Sequence, residues 1–145
     1  MSLLKDTISS VSIATQADGT GTQSGTILDM AGFEGVLFTA TFADVDDTAV
    51  LTLRAQQDTD SAGGTMATLT SSCTFTASAT SADNKCLVLD VFRPAERYVR
   101  PQVVIATANA ITASVIAIQY GAHKAPTTQG STVLDNDLVV SPAEV

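Results

Sequence analysis

Tryptophan is absent from this 145-residue chain, and the residue types on which reactive sites are usually built are scarce. There is one histidine, His123, so a Cys–His or Ser–His pair has a single possible base. The two cysteines, Cys73 and Cys86, are too few for a disulfide scaffold, and neither has a CxxC partner for a zinc site. Cys73 shares a strand face with Phe75, which predicts a buried free thiol. A Cys73–Cys86 bridge between neighbouring strands is the alternative, and depends on geometry. No serine sits in a GxSxG elbow. Two carboxylates far apart in the chain can still form a glycosidase pair. However, 5 Phe and 2 Tyr leave little from which to build aromatic sugar platforms. These shortages predict a protein that is not an enzyme and uses no cofactor or metal.

Cations are equally few: 7 Lys plus Arg stand against 15 Asp plus Glu, a formal net charge of -8. A field of that sign disfavours nucleic acid and anionic membrane, and favours solubility or a basic protein partner. No window approaches the ~20 apolar residues of a membrane-spanning helix. Residues 1–6 lack the apolar run and cleavage site of a signal peptide, so none is expected.

What remains is Thr, Ser, Ala and Val, with turn residues at short intervals. That is the composition of an all-β domain. Alternation is clearest over residues 36–42, where Val36, Phe38, Ala40 and Phe42 share one face. An acidic loop, Asp44, Asp46 and Asp47, leads into a second alternating run over 48–56, and the two runs predict an antiparallel hairpin. The three carboxylates suit calcium by chemistry, but D-x-D-D lacks the glycine and distant glutamate of an EF-hand loop. A solvated turn is the plainer reading, and Asp58 and Asp60 in the loop 57–64 are read the same way.

Elsewhere the pattern predicts a strand over 8–13, a flexible loop over 16–25 and a short strand at 26–28. Strands over 65–69 and 73–77 are separated by a turn at 70–72. The glycines of 16–25 match neither the Walker nor the Rossmann spacing. Residues 87–92 and 99–105 form two strands, the first central in a sheet, joined by a corner at Pro94, which cannot donate to a ladder. A turn at 106–110 precedes a last strand over 111–120. Both of its faces are apolar, so either Thr112, Ser114, Ile116, Ile118 and Tyr120 or Ile111, Ala113, Val115 and Ala117 point inward. Eight to ten strands without a convincing helix predict an antiparallel β-sandwich, with a jelly roll as the best fit. An immunoglobulin-like sandwich is second, lacking the Cys…Trp…Cys pattern. The expected division is an N-terminal arm (1–7), a sandwich domain (8–121) and an extended C-terminal arm (122–145).

Two stretches are candidates for binding. Arg93, Arg97 and Arg100 crowd the corner with Asp90 and Glu96 beside them. Local ion pairing is the plain expectation, because guanidinium grips carboxylate in a bidentate fork. A docking patch for an acidic surface is the alternative. The arm 122–145 carries two apolar pieces, Val133–Leu134 and Leu138–Val139–Val140, with Pro126 and Pro142. It is expected to cross a neighbour's surface or fold back along its own domain.

The run from Leu89 to Arg100 (LDVFRPAERYVR), with AIQYG at 117–121 and TQGST at 128–132, resembles small proteins encoded among the head genes of tailed bacteriophages. They are the head decoration or cement proteins of podovirus-type capsids. The resemblance covers mainly residues 87–131 and carries no catalytic residues. It implies a jelly-roll-like subunit bound to the outside of a capsid, clamping major capsid protein subunits. It also implies a homodimer or homotrimer, located on the virion and assembled in the host cytoplasm. On that implication Arg93, Glu96, Arg97, Arg100, Val133, Leu134, Leu138, Val139 and Val140 are the candidate interface. Other phage subunits (tail tube, connector, fibre base) and a carbohydrate-binding or adhesive module using the polar loops are the competing readings.

Overall fold

The computed structural model of the chain describes residues 2–140; Met1 and residues 141–145, with the ends of both expected arms and Pro142, lie outside the described residues. Everything is laid against one strand, β8 (Tyr98–Tyr120), which is 23 residues long. It is rich in β-branched residues and free of glycine, which favours a long pleated strand. Its numbering follows from the strands before it: β1 (Ile8–Ile13), β2 (Gly19–Ser24), β3 (Leu28–Asp29), β4 (Gly35–Val45), β5 (Val50–Asp58), β6 (Ala67–Thr76) and β7 (Cys86–Phe92). All pairings are antiparallel. β1, β2 and β3 follow one another along one edge of β8, and β4 then β5 follow along the other. Thus Ile116 pairs with both Val11 and Thr39, and Val103 with both Gln23 and Leu53. β6 pairs with β5 and β7 with β4.

The result is four long ribbons side by side, all creased at one level. β8 bends at Thr107, which has a φ of 73°. Opposite it the other ribbons are interrupted at 14–18, 46–49 and 77–85. Folding at the crease makes two leaves. One holds β7, β4, the second half of β8 and β1. The other holds β6, β5, the first half of β8, and β2 with β3. Each of β1–β2, β4–β5, β6–β7 and the two halves of β8 crosses between leaves, which is jelly-roll connectivity in an antiparallel β-sandwich. Phe38, Leu51, Leu53, Ile105 and Val115 meet between the leaves, all essentially without solvent contact. Each such burial is worth about 1.5–3 kcal/mol.

Several expectations change at the level of tertiary pairing. The segments 36–42 and 48–56 are strands but not a hairpin, because β8 lies along both in place of either partner. The turn expected at 106–110 is a bulged bend inside β8. The left-handed residue, Thr107, is β-branched and strained there, and the ladder continues on either side of it. The inward face therefore switches twice, from Val99, Pro101, Val103 and Ile105 to Ala110 and Thr112, then to Val115, Ala117 and Gln119. Neither inward set expected for 111–120 is correct as a whole, since the ladder to β4 slips between Thr41 and Phe42. The loop 16–25 contains β2, held by its register on β8. Gly25 closes it: a Cβ there would run into the Pro101 ring and the Ser12 hydroxyl. Residues 70–72 lie inside β6 as a bulge and not as a turn: the ladder to β5 slips between Ser72 and Thr68 and resumes on either side. β7 is an edge strand, not a central one. Within the N-terminal arm, Leu3–Asp6 is a single helical turn, α1, closed by the Thr7 hydroxyl donating to the Leu3 carbonyl at 2.7 Å.

Candidate partner-binding surfaces

The charged corner sits at one end of the sandwich, and tertiary contacts decide which of its cations are free. Arg97 donates from Nε and one Nη to both carboxylate oxygens of Asp29, each at 2.8 Å. This fork holds the Asp29 carboxyl below its ordinary range, despite some desolvation in the opposite direction, and raises the guanidinium correspondingly. Arg100 points away, onto the outer face of the β5–β6 leaf, where its Nε donates to Gln56 Oε1 at 2.9 Å. Arg93 lies 3.6 Å from Glu34 with 71% of its side chain exposed, and its Cζ stands 5.0 Å over the Phe92 ring. Arg93 itself occupies the left-handed region with φ 50°. The expected neighbours Asp90 and Glu96 are thus not the arginines' ion-pair partners. Asp90 accepts the Tyr120 hydroxyl at 2.6 Å, and the Glu96 backbone N–H reaches Gln57 Oε1 at 3.4 Å. An open depression at this end is lined by Phe33, Glu34, Arg93, Glu96, Arg97 and His123 among others.

Tyr120 reaches Asp90 by crossing β4 above Gly35, where a Cβ would overlap the phenol and approach the Val91 carbonyl to 2.9 Å. Burial first, and Asp90 second, push the Tyr120 hydroxyl up to about 12.

The C-terminal arm folds back on its own domain over part of its length. Thr127 donates its backbone N–H to the Lys5 carbonyl at 2.8 Å and its hydroxyl to the Thr7 carbonyl at 2.7 Å. Gln129 then bridges, donating to the Thr7 carbonyl at 2.8 Å and accepting the Ser9 N–H at 2.9 Å. Thr132 Oγ1 accepts the Val11 N–H at 3.2 Å. Side chains of the TQGST run therefore cap the open edge of β1, an edge strand's liability. Sequence reading missed this role, since capping a distant strand leaves no periodic signature. Beyond a turn at Gly130–Val133 the apolar pieces emerge into solvent: Leu134 is 99% exposed, Val139 68% and Val140 77%.

The two outer sheet faces differ sharply. On the β5–β6 leaf, polar side chains bond one another across strands. Arg54 Nε donates to Gln102 Oε1 at 2.9 Å, and Gln102 Nε2 to Ser24 Oγ at 2.8 Å. Gln56 Nε2 donates to Thr68 Oγ1 at 3.0 Å. On the other leaf the outward rows are Val88–Thr39–Ile116–Val11 and Asp90–Leu37–Ile118–Ser9. Phe92 and Val88 stand 57% and 49% exposed.

The acidic turns serve the backbone. Asp47 accepts the Ala79 N–H at 2.8 Å. Asp58 accepts the N–H groups of Asp60 and Thr65, which hold its carboxyl below the ordinary range. Among the described residues no three His, Cys, Asp or Glu side chains converge as a metal cluster, Asp44, Asp46 and Asp47 included. Both cysteines are free. Cys73 is only half-buried, at the leaf edge, where its thiol donates to the Val88 carbonyl at 3.0 Å; Cys86 is exposed beside an apolar cleft with Phe42, Phe75 and Lys85. The buried-thiol expectation for Cys73 gives way because β6 is an edge strand.

No protein-family model matches the chain, and no curated protein matches it. Among solved structures it is similar to Eiger TNF from S. frugiperda, with 10% identity, 92% of this chain and 99% of that one covered, and a TM-score of 0.40. It is also similar to PirA, with 12% identity, coverage of 81% and 93%, and a TM-score of 0.33. The jelly-roll assignment rests on the strand connectivity itself.

Proposed function

We propose that the chain is a structural virion protein that seats on the outer surface of a phage capsid and stabilises contacts between major capsid protein subunits. One observation carries the reading: the molecule leaves apolar surface uncommitted at two places, the sheet face around Phe92 and the tail beyond Thr132. Val88 and Phe92 on that face, and Leu134, Val139 and Val140 in the tail, all stand exposed, and grouped exposed apolar side chains mark interaction surfaces. The corner end, with Arg93 and Glu96 accessible, and the tail residues Val133, Leu134, Leu138, Val139 and Val140 are the proposed contacts. A rigid sandwich with a strap gains by linkage, because the first contact raises the effective concentration of the second. The resemblance over residues 87–131 points to the same role. The reading assigns no catalytic step, cofactor, nucleic acid or membrane to the protein.

The test is co-sedimentation of the purified protein with undecorated capsid shells, followed by a density map of the complex. Saturable binding with density on the outer surface is expected. Failure to bind shells, or assembly into rings or tubes as a connector or tail subunit would, overturns the proposal.

A further inference from the structure

The apolar face and the apolar tail lie close together in one chain, yet they do not cover each other. Thr132, the last anchor of the arm, bonds the backbone of Val11, and Val11 is the border residue of the apolar face. The tail leaves the fold at the margin of that face. It then doubles back, so that Leu138 and Val140 lie beside Ser2, Lys5 and Asp6 near α1. Leu134 is left wholly in water.

We infer that the occupant of the face formed by Val11, Leu37, Val88, Phe92, Ile116 and Ile118 is the tail, residues 133–140, of a second copy of this chain. Three observations select that occupant. First, the tail has the right chemistry: Leu134, Leu138 and Val140 fall on one side of an extended chain, matching an apolar sheet face. Second, charge permits it. Two copies of net charge -8 repel almost everywhere. The outward rows of this face, however, carry one carboxylate, Asp90, and Tyr120 already donates to it. Arg93, stacked on Phe92 at the end of the face, is held only loosely by Glu34 at 3.6 Å with 71% of its side chain exposed, so Asp135 or Asp137 of the incoming tail can share its guanidinium. Third, position favours it: Thr132, the last anchor of the arm, stands at the margin of this face, and exchange about a two-fold axis makes the same contact twice. The inference deepens the structural-subunit reading and rests on it only for the tail being a contact strap.

The experiment needs no capsid. Sedimentation velocity of the full chain over a dilution series is expected to show an oligomer that dissociates on dilution. Removing residues 133–145, or introducing F92D with V88D, is expected to weaken association at least tenfold and leave the urea midpoint of the dissociated chain unchanged, as for other exposed positions. Mixed one to one, the two variants should associate, because one supplies the face and the other the tail. A full chain that stays monomeric at ~100 μM, far above ordinary interface affinities, overturns the inference. So does association that survives loss of the tail, which would mean face-on-face packing. Variants that fail to complement would mean that the tail acts within its own chain. Loss of shell binding with exchange intact would sink the capsid reading alone.

Discussion

The two outer sheet faces of this sandwich are built on the same pleat and the same alternation, yet one is finished and the other is not. On the β5–β6 leaf, Arg54, Gln102 and Ser24 form a lateral chain of hydrogen bonds across three strands, and Arg100, Gln56 and Thr68 form another. These bonds tie polar side chains to one another while the guanidinium ends remain hydrated, so that face meets water without an apolar penalty. On the other leaf the equivalent positions are Val88, Leu37, Ile116 and Ile118, and a contiguous apolar sheet face is a mark of an interaction surface. Burial of the inward face makes the fold, and the choice of outward residues decides how much apolar surface is left facing water. The difference explains why the arginines noticed first in the sequence matter unequally. Arg100 belongs to the finished face and Arg97 to a closed ion pair, while Arg93 borders the unfinished one.

The sharpest way to break the comparison uses two phenylalanines on opposite sides of the same leaf. Phe38 is fully buried in the core, and Phe38→Ala should cost about 3–5 kcal/mol in transfer and cavity terms. Phe92→Ala should cost under about 0.5 kcal/mol in the dissociated chain, as surface positions do. Urea unfolding of both variants at low concentration measures this. A similar loss for both would show that Phe92 is core and that the face is not open. Next in size is Gly35→Ala, which forces a methyl into the Tyr120 phenol and towards the Val91 carbonyl. Overpacking of that kind costs about 1–3 kcal/mol, read as a lowered melting temperature with a changed tyrosine emission. Smaller again is Gln102→Ala on the finished face. It removes the bonds to Arg54 and Ser24 at about 0.5–1.5 kcal/mol each before water compensates. No loss in urea unfolding would mean that the lateral network contributes nothing beyond solubility.

How much of this was legible in the sequence depends on how local each determinant is. The alternation of Val36, Phe38, Ala40 and Phe42, and of Leu87, Leu89 and Val91, reports burial directly, because the side-chain period of a strand is two. Partnership is another matter. Nothing in residues 36–56 says that β8 will pair with both runs, or that the Gly- and Thr-rich segment 19–24 has a ladder waiting at Val103–Ile105. The bend at Thr107 reads as a turn because small residues suit both, and only the continuing ladder distinguishes them. The corner was legible as a place of ion pairing, but the partner of Arg97 is Asp29, 68 residues away, so neighbours in sequence were misleading. The apolar pieces of the tail were visible by composition. Their anchoring by Gln129 and Thr132 was not, since a side chain that caps a distant N–H obeys no spacing rule.

The smallest expected effect at neutral pH sits on the unfinished face and has a direction fixed by linkage. Tyr120 has its hydroxyl pushed up to about 12 by burial and by the Asp90 carboxylate it bonds, against an ordinary value of 10.0. The folded state then holds that proton more tightly than the unfolded chain does. Its contribution to stability is complete below pH 10 and is lost as pH rises through about 12. Tyr120→Phe should cost roughly 0.5–1.5 kcal/mol at pH 7, the net worth of one hydrogen bond. It should also flatten the alkaline fall in stability measured by urea unfolding between pH 9 and pH 12. Asp90→Asn, which keeps an acceptor but removes the charge, should flatten it only in part, because burial is the larger cause. If the parent and Tyr120→Phe lose stability with the same slope over that range, the phenol is open to water. The crossing over Gly35 would then be no part of how this face keeps its one carboxylate occupied.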